Sequence, residues 1–257
     1  MPKQSGEERR SAILYALEQH HELPIETFVQ QFKVSAATIR NDLQHLAQHR
    51  LLTRTHGGAR AIRNREFELS LAARTQQQPD TKIAIARYAA RLVNDGDTIF
   101  IDSSSTTFAL IPFLARRRNL TVVTNSLSVS QALIEYPAIN IILCGGRIRH
   151  ISQSVVDIHS IGVIQQLRIT TGFFGAHGIN VRTGLTDISR EEANTKQIIH
   201  QQCRRTVALL DASKMHRIGQ YPFIATNQLN TLISDFAADN TIIETLRNHG
   251  VHCFLAN

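Results

Sequence analysis

Apolar positions near the start of the chain recur at helical spacing. Ile13, Leu14 and Leu17 do so within residues 7–19, and Phe28, Val29 and Phe32 repeat the pattern over residues 25–32. Lys33, Val34 and Ser35 interrupt it. Ser35 suits an N-cap, because its hydroxyl accepts from the free amides of the next turn. A third helix from Ala36 puts Ile39, Leu43 and Leu46 within a narrow arc. Ala37, Asn41, Gln44 and Gln48 point the opposite way, flanked by Thr38 and Arg40. A helix, a short turn and a second helix is the helix-turn-helix arrangement, which lays its second helix in the major groove. The run Leu51 to Arg60 then reads as two short strands around Gly57-Gly58, a wing that carries Arg54 and His56 along the DNA backbone.

Beyond residue 80 the pattern changes. Short β-rich runs at Thr98–Ile101, Leu120–Val123, Ile139–Leu143, Phe173–Gly175, Thr206–Leu210, Thr231–Ile233 and Val251–Leu255 alternate with helical stretches. That alternation predicts an α/β fold, a mainly parallel sheet with helices on both faces. The strands run into polar and glycine-rich ends: Asp102 to Thr107, Thr124-Asn125-Ser126, Cys144-Gly145-Gly146, Gly175 to Gly178, Asp211 to Lys214 and Ser234-Asp235. Ligands of open α/β sheets bind at the carboxyl ends of strands, so this convergence predicts a pocket for a small polar molecule. Between the two patterns, Arg60 to Pro79 is polar and ends in Gln76-Gln77-Gln78-Pro79, although Phe67, Leu69 and Leu71 argue against full disorder. The expected organisation is a winged helix-turn-helix domain over 1–60, a linker over 61–79 and an α/β sensor domain over 80–257.

Charge sharpens the first domain. Residues 1–65 hold ten Lys/Arg against six Asp/Glu, whereas the other 192 hold eighteen against fifteen. Arg50 to Arg65 contains five arginines, His56 and no carboxylate, which fits either a phosphate-contact surface or a solvated basic linker. On the third helix, Ala36 and Ala37 allow close approach, Thr38 suits a phosphate or base edge, and Arg40 and Asn41 suit base reading, with Ser35 at the helix start and Gln44 on the same polar face. Those residues, with Arg54 and His56, form the candidate DNA surface. Helix-turn-helix proteins read two half-sites as dimers, so an even-numbered homo-oligomer on double-stranded DNA is expected, a dimer or tetramer assembled through the large domain.

The run Ser103 to Thr107 is the candidate phosphate cradle, since it joins a strand to a helix where free amides favour an anion; N-capping is the plainer use of one such hydroxyl. Gly145 and Gly146 permit close backbone approach. Lys214 offers a cation, and Asp102, Thr124, Asn125 and Asp211 offer donors and acceptors to sugar hydroxyls. No cofactor is expected: there is neither a GxGxxG nor a P-loop run, and the twelve histidines show no HExxH spacing for a metal. Three scattered cysteines give no disulfide framework, and no apolar run approaches the ~18 residues of a membrane span. A cytoplasmic protein fits these features.

Val34-Ser35-Ala36-Ala37-Thr38-Ile39-Arg40-Asn41-Asp42-Leu43 with Leu52-Thr53-Arg54-Thr55-His56-Gly57-Gly58-Ala59 resembles the amino-terminal signature of the DeoR family of bacterial transcriptional regulators. Phe100 to Thr107, Val123 to Ser126, Leu143 to Gly146, Gly184-Leu185-Thr186, Glu191-Glu192-Ala193 with Lys196, and Leu210 to Lys214 are similar to that family's sensor domain, whose fold is related to ribose-5-phosphate isomerase. The resemblance implies a regulator, usually a repressor, of a carbohydrate operon that responds to a phosphorylated sugar. Departures fall at Asn41, Ser104, Asn180 and Met215-His216. The rival reading is a sugar-phosphate isomerase with an added DNA-binding domain, for which Asp102, Asp187, Glu191 and Asp211 are conceivable bases. Non-specific DNA packaging is a third.

Overall fold

The computed structural model describes residues 6–48, 51–61, 70–159 and 161–257. It divides into two compact units, Met1–Arg74 and Thr75–Asn257.

In the first unit, α1 (Gly6–His20) leads into β1 (Glu22–Pro24), α2 (Ile25–Phe32), α3 (Ala36–Gln48), β2 (Thr53–Arg54) and β3 (Gly58–Arg60). The periodic residues close the core: Ile13, Leu14, Leu17, Phe28, Ile39, Leu43 and Leu46 are buried together with Leu52 and Ala59. The α2–α3 turn follows from local chemistry. Lys33 adopts a left-handed φ of 52° and donates its amide to Val29 O, ending α2. Ser35 then accepts from the Thr38 amide at 3.1 Å, starting α3 as the sequence predicts.

The wing is a three-stranded sheet in the order β1-β3-β2. Only β2 and β3 are foreseeable, because β1 is a three-residue strand with no period. The glycine at 58 is obligatory: a Cβ there would lie 2.1 Å from Leu23 O. Arg50 and Arg63, Arg65, Phe67 and Leu69 of the basic and linker stretches lie outside the described residues. Within the segment read as a linker, α4 (Leu71–Thr75) is helical, with Leu71 and Ala73 buried.

The second unit runs α5 (Pro79–Ala89), β4 (Thr98–Ile101), α6 (Ser105–Phe108), α7 (Ile111–Leu114), β5 (Thr121–Thr124), α8 (Leu127–Leu133), β6 (Asn140–Leu143), β7 (Arg147–Arg149) and β8 (Ser154–Val156). It continues with α9 (Ile161–Gln166), β9 (Thr171–Phe174), β10 (Gly178–Asn180), β11 (Gly184–Asp187), α10 (Arg190–His200), β12 (Thr206–Leu209), β13 (Tyr221–Ile224), β14 (Thr231–Asp235), α11 (Asn240–Asn248) and β15 (His252–Ala256). Seven strands pair in the order β15-β14-β12-β9-β4-β5-β6. Every pairing in that sheet is parallel.

Strand alternation divides the core in two. Phe100, Val123, Phe174, Ala208 and Leu232 join one cluster with residues of α9, α10 and α11. Ile99, Ile101, Val122, Phe173, Val207 and Ile233 join the other with residues of α5, α7 and α8. A sheet buried on both faces explains why its strands read as continuous apolar runs. All seven lie where the β-rich runs predict them, within one or two residues at each end. The antiparallel hairpin β7–β8 and the small antiparallel sheet β10-β11-β13 are additional. Their three- and four-residue strands are too short and too polar to show a period.

Phe28, fully buried at the centre of the first unit, provides a check. Phe28→Ala is expected to destabilise that unit by about 3–5 kcal/mol, read as a lower denaturant midpoint for its transition.

Candidate functional site

On the first unit, Ser35, Ala37, Arg40, Asn41 and Gln44 are exposed along one side of α3, with Ala36 and Thr38 half-buried. Arg54 and His56 are exposed on the wing. Arg60, counted in the basic stretch, pairs with Glu22 at 2.7 Å. One residue of this region entered the sequence reading only as part of the family signature, with no role assigned. Asp42 faces inward, 4% exposed, and accepts from Arg9 Nε at 2.6 Å, with Arg10 Nη1 at 3.4 Å. A carboxylate beside the apolar arc of α3 is the signal that a cation must cover it. Two arginines of α1 are thereby committed to holding α3 in place.

On the second unit the predicted residues gather at the carboxyl ends of β4, β5, β6 and β12. Asp102 is completely buried. Its Oδ1 accepts from the Ser104 amide at 3.0 Å and Thr107 Oγ1 at 2.7 Å, and its Oδ2 accepts from the Gly175 amide at 2.9 Å. It therefore shapes the loop, and a sugar hydroxyl has no open face of Asp102 to meet. Ser104 caps α6 by accepting from the Thr107 amide at 3.2 Å. Thr124 donates to Ile101 O at 2.7 Å and accepts from the Ser126 amide, so it too is internal.

Ser105, Thr106 and Asn125 are placed differently. The amides and hydroxyls of Ser105 and Thr106, in the first turn of α6, make no hydrogen bond among the described residues. Asn125 donates Nδ2 to Val155 O at 3.2 Å, while its Oδ1 is buried without a partner. An acceptor left so costs about 1–3 kcal/mol. Lys214 is half-buried in the 3-10 turn Ala212–Lys214, which Asp211 caps by accepting from the Ser213 amide at 3.0 Å. The glycine pair marks a close approach: a Cβ on Gly146 would lie 2.5 Å from Val156 O, and Gly145 O accepts from the His159 amide. Burial pushes the neighbouring Cys144 thiol up to about 12, so it is no thiolate at neutral pH.

Behind this loop stands α10, whose Glu192 and Lys196 the sequence singled out only through a resemblance. Lys196, 4% exposed, donates to Gly175 O and Asp187 Oδ2, each at 3.0 Å, and lies 3.2 Å from Asp102 Oδ2. Its ammonium also sits 5.1 Å from the Phe223 ring centroid. Burial alone would lower its pKa, but Asp187, Asp102 and Glu192 together outweigh burial and hold it above the ordinary lysine value. Glu192, 3% exposed, accepts from Ser152 at 2.7 Å, from Ser154, and from Ser103 at 3.3 Å. Arg149 Nη1 is 3.8 Å from it. Glu191 pairs with Arg147 at 2.6 Å and Arg149 at 3.4 Å. The carboxylates conceivable as an isomerising base are thus placed: Asp102 and Asp187 face Lys196, Glu191 faces two arginines, and Asp211 caps a turn. Among the described residues no group of three or more His, Cys, Asp or Glu is arranged to hold a metal ion, and no helix is long and apolar enough to cross a membrane.

A winged helix-turn-helix unit joined to a parallel α/β unit with a polar, anion-friendly strand edge is the architecture of a ligand-responsive DNA-binding regulator. Comparison with known proteins narrows this. A model of the DeoR-like helix-turn-helix domain matches residues 9–65, and one of the DeoR C-terminal sensor domain matches residues 77–236. The chain is 30% identical over 244 residues to the HTH-type transcriptional regulator GolR of Listeria innocua, covering 95% of this chain and 96% of that one. It is 29% identical to the glycerol-3-phosphate regulon repressor of Escherichia coli, with the same coverage of each. The chain belongs to the DeoR family of transcriptional regulators. A partial likeness to the ribose 5-phosphate isomerase A of Methanocaldococcus jannaschii has a TM-score of 0.42 at 19% identity and covers 54% of this chain and 55% of that one.

Two predictions follow from α10 and its loop. Lys196→Met leaves Asp102 and Asp187 buried without their cation, and a loss of about 3–5 kcal/mol is expected in denaturant unfolding. Because the folded-state pKa of Lys196 is raised, the stability it contributes is whole below its unfolded value of 10.5 and is lost only as pH climbs through the higher folded value. Gly175→Ala is the second. Its Cβ would fall 2.2 Å from Ser104 Oγ, so the Ser104 cap must shift, and a lowered melting temperature with a disturbed loop is expected.

Proposed function

We propose that this regulator represses a carbohydrate-utilisation operon and that a phosphorylated sugar, bound at the carboxyl ends of β4, β5 and β12, changes its affinity for the operator. The observation that carries the effector reading is the state of the loop after β4. Its amides and hydroxyls at Ser105 and Thr106 are open while Asp102, Ser104 and Thr107 are all engaged in holding the loop in shape. Preformed, uncommitted donors at a strand-to-helix turn suit an anion of several oxygens. Asn125 Oδ1 awaits a donor such as a sugar hydroxyl, and Lys214 supplies a cation at the next strand end but two. The Escherichia coli relative is named for repressing a glycerol-3-phosphate regulon, which belongs to the same class of chemistry.

In this reading residues 1–60 grip DNA, 61–79 connect, and 80–257 sense the metabolite. Ser35, Ala36, Ala37, Thr38, Arg40, Asn41 and Gln44 enter the major groove, and Arg54 and His56 contact backbone. The protein acts in the cytoplasm as an even-numbered homo-oligomer. Coupling between the sites needs a ligand that binds two states unequally, typically by ~1–3 kcal/mol.

A thermal-shift screen against phosphorylated sugars, followed by operator titration with each hit, tests this. A ligand that binds the native state raises the melting temperature by mass action. Arg40→Ala is expected to weaken operator binding by roughly 1–3 kcal/mol with sugar-phosphate affinity intact, and Lys214→Ala to do the reverse. Equal losses in both assays for both variants would overturn the division of roles.

A further inference from the structure

The buried carboxylate of Glu192 lends its charge to Lys196 but makes its hydrogen bonds elsewhere. Asp102 and Asp187 neutralise Lys196, and Asp211 caps a turn. Glu192 instead collects donors from separate elements. Ser103 comes from the loop after β4 and Ser152 and Ser154 from the hairpin β7–β8, while Arg149 of β7, which donates to Ser152 Oγ at 3.2 Å, stands 3.8 Å from the carboxylate. Three hydroxyls and a guanidinium converging on one anion is the donor set a phosphate monoester asks for, since carboxylate and phosphate oxygens accept the same charge-assisted hydrogen bonds.

The position matters as much as the donors. Ser103 Oγ is 3.3 Å from Glu192 Oε2, and Ser103 is only two residues before Ser105, whose amide and hydroxyl are open. An anion cradled by Ser105 and Thr106 would therefore come close to a carboxylate that already holds Ser103. Two like charges at that range, both out of water, disfavour each other strongly.

We propose that Glu192 is an internal stand-in for the phosphate group: it occupies an anion subsite made by Ser103, Ser152, Ser154 and Arg149, and a phosphorylated ligand displaces it from those donors. The proposal rests on the phosphate reading of the Ser103–Thr107 loop given above. It assigns a second half to that site, on the hairpin side, and makes Glu192 a residue that sets affinity by competition. The unliganded subsite is thereby kept satisfied: the carboxylate accepts from Ser103, Ser152 and Ser154, of which Ser152 and Ser154 otherwise have only each other and Arg149 within reach.

Glu192→Gln separates this from the alternatives. It keeps the shape and an acceptor oxygen for the serines but removes the competing charge. Calorimetric titration of the full-length protein with inorganic phosphate, at fixed pH and ionic strength, is expected to show the variant binding about tenfold tighter than the wild type, although its melting temperature falls. Glu192→Ala, read in the same way, shifts affinity in the same direction and carries the test should the glutamine variant not fold. A residue that only braces the fold would lower stability and affinity together, and one that holds a sugar hydroxyl would leave the affinity for inorganic phosphate unchanged. Wild-type binding that the variants leave equal or weaker overturns the exchange and spares the phosphate reading. If neither wild type nor variant binds inorganic phosphate or any phosphorylated sugar, the phosphate reading itself is overturned and the exchange with it.

Discussion

The sensor unit is organised around one buried cation. Lys196 reaches from α10 into the space between the ends of β4 and β9, where it meets Asp102, Asp187 and the carbonyl of Gly175. Taking an ammonium out of water costs several kcal/mol, and only close carboxylates with good hydrogen bonds offset that cost. Here they do, and the arrangement is interlocked. Asp102 makes its other contacts with the amides of Ser104 and Gly175, so the lysine fixes the carboxylate, the carboxylate fixes the loop, and the loop fixes the amides of Ser105 and Thr106. The open amides of Ser105 and Thr106 depend on this chain of contacts.

The first unit uses the same device on a smaller scale. Asp42 lies among the apolar residues of α3 and is covered by Arg9 and Arg10 of α1. A buried ion pair contributes little net stability compared with an apolar pair, but it tolerates no sliding, because a displaced partner leaves a bare charge. α3 is thus held at one rotation about its axis, with Ala37, Arg40, Asn41 and Gln44 outward. The left-handed turn at Lys33 and the Ser35 cap fix where the helix begins.

How much of this the sequence disclosed depended on how local the cause was. The helix-turn-helix, the cap at Ser35 and the parallel strands were legible because periodicity and capping act over a few neighbouring residues. The loop after β4 was legible as a row of hydroxyls at a strand end, though which of them were committed inward was not. Asp102 illustrates the gap: its partners include Gly175, 73 residues away. Glu192 is a stronger case, with partners 89, 40 and 38 residues away in sequence. The hairpin β7–β8 and the strand β1 are too short to carry a period, and glycines 58 and 175 acquire their meaning only from a backbone or side chain brought near by the fold.

The strand order also sets a sequence of assembly. β9 lies between β4 and β12 at the middle of the sheet, although about seventy residues separate it from β4. Parallel pairing across such distances makes the entropy of chain closure fall due before its contacts form, which slows folding. The winged unit, by contrast, completes its sheet by Arg60 with helix contacts that are mostly near in sequence. During synthesis from the amino terminus, the part that recognises DNA is therefore finished while the sheet that would govern it still lacks its centre, and control over the operator is the last property the chain acquires.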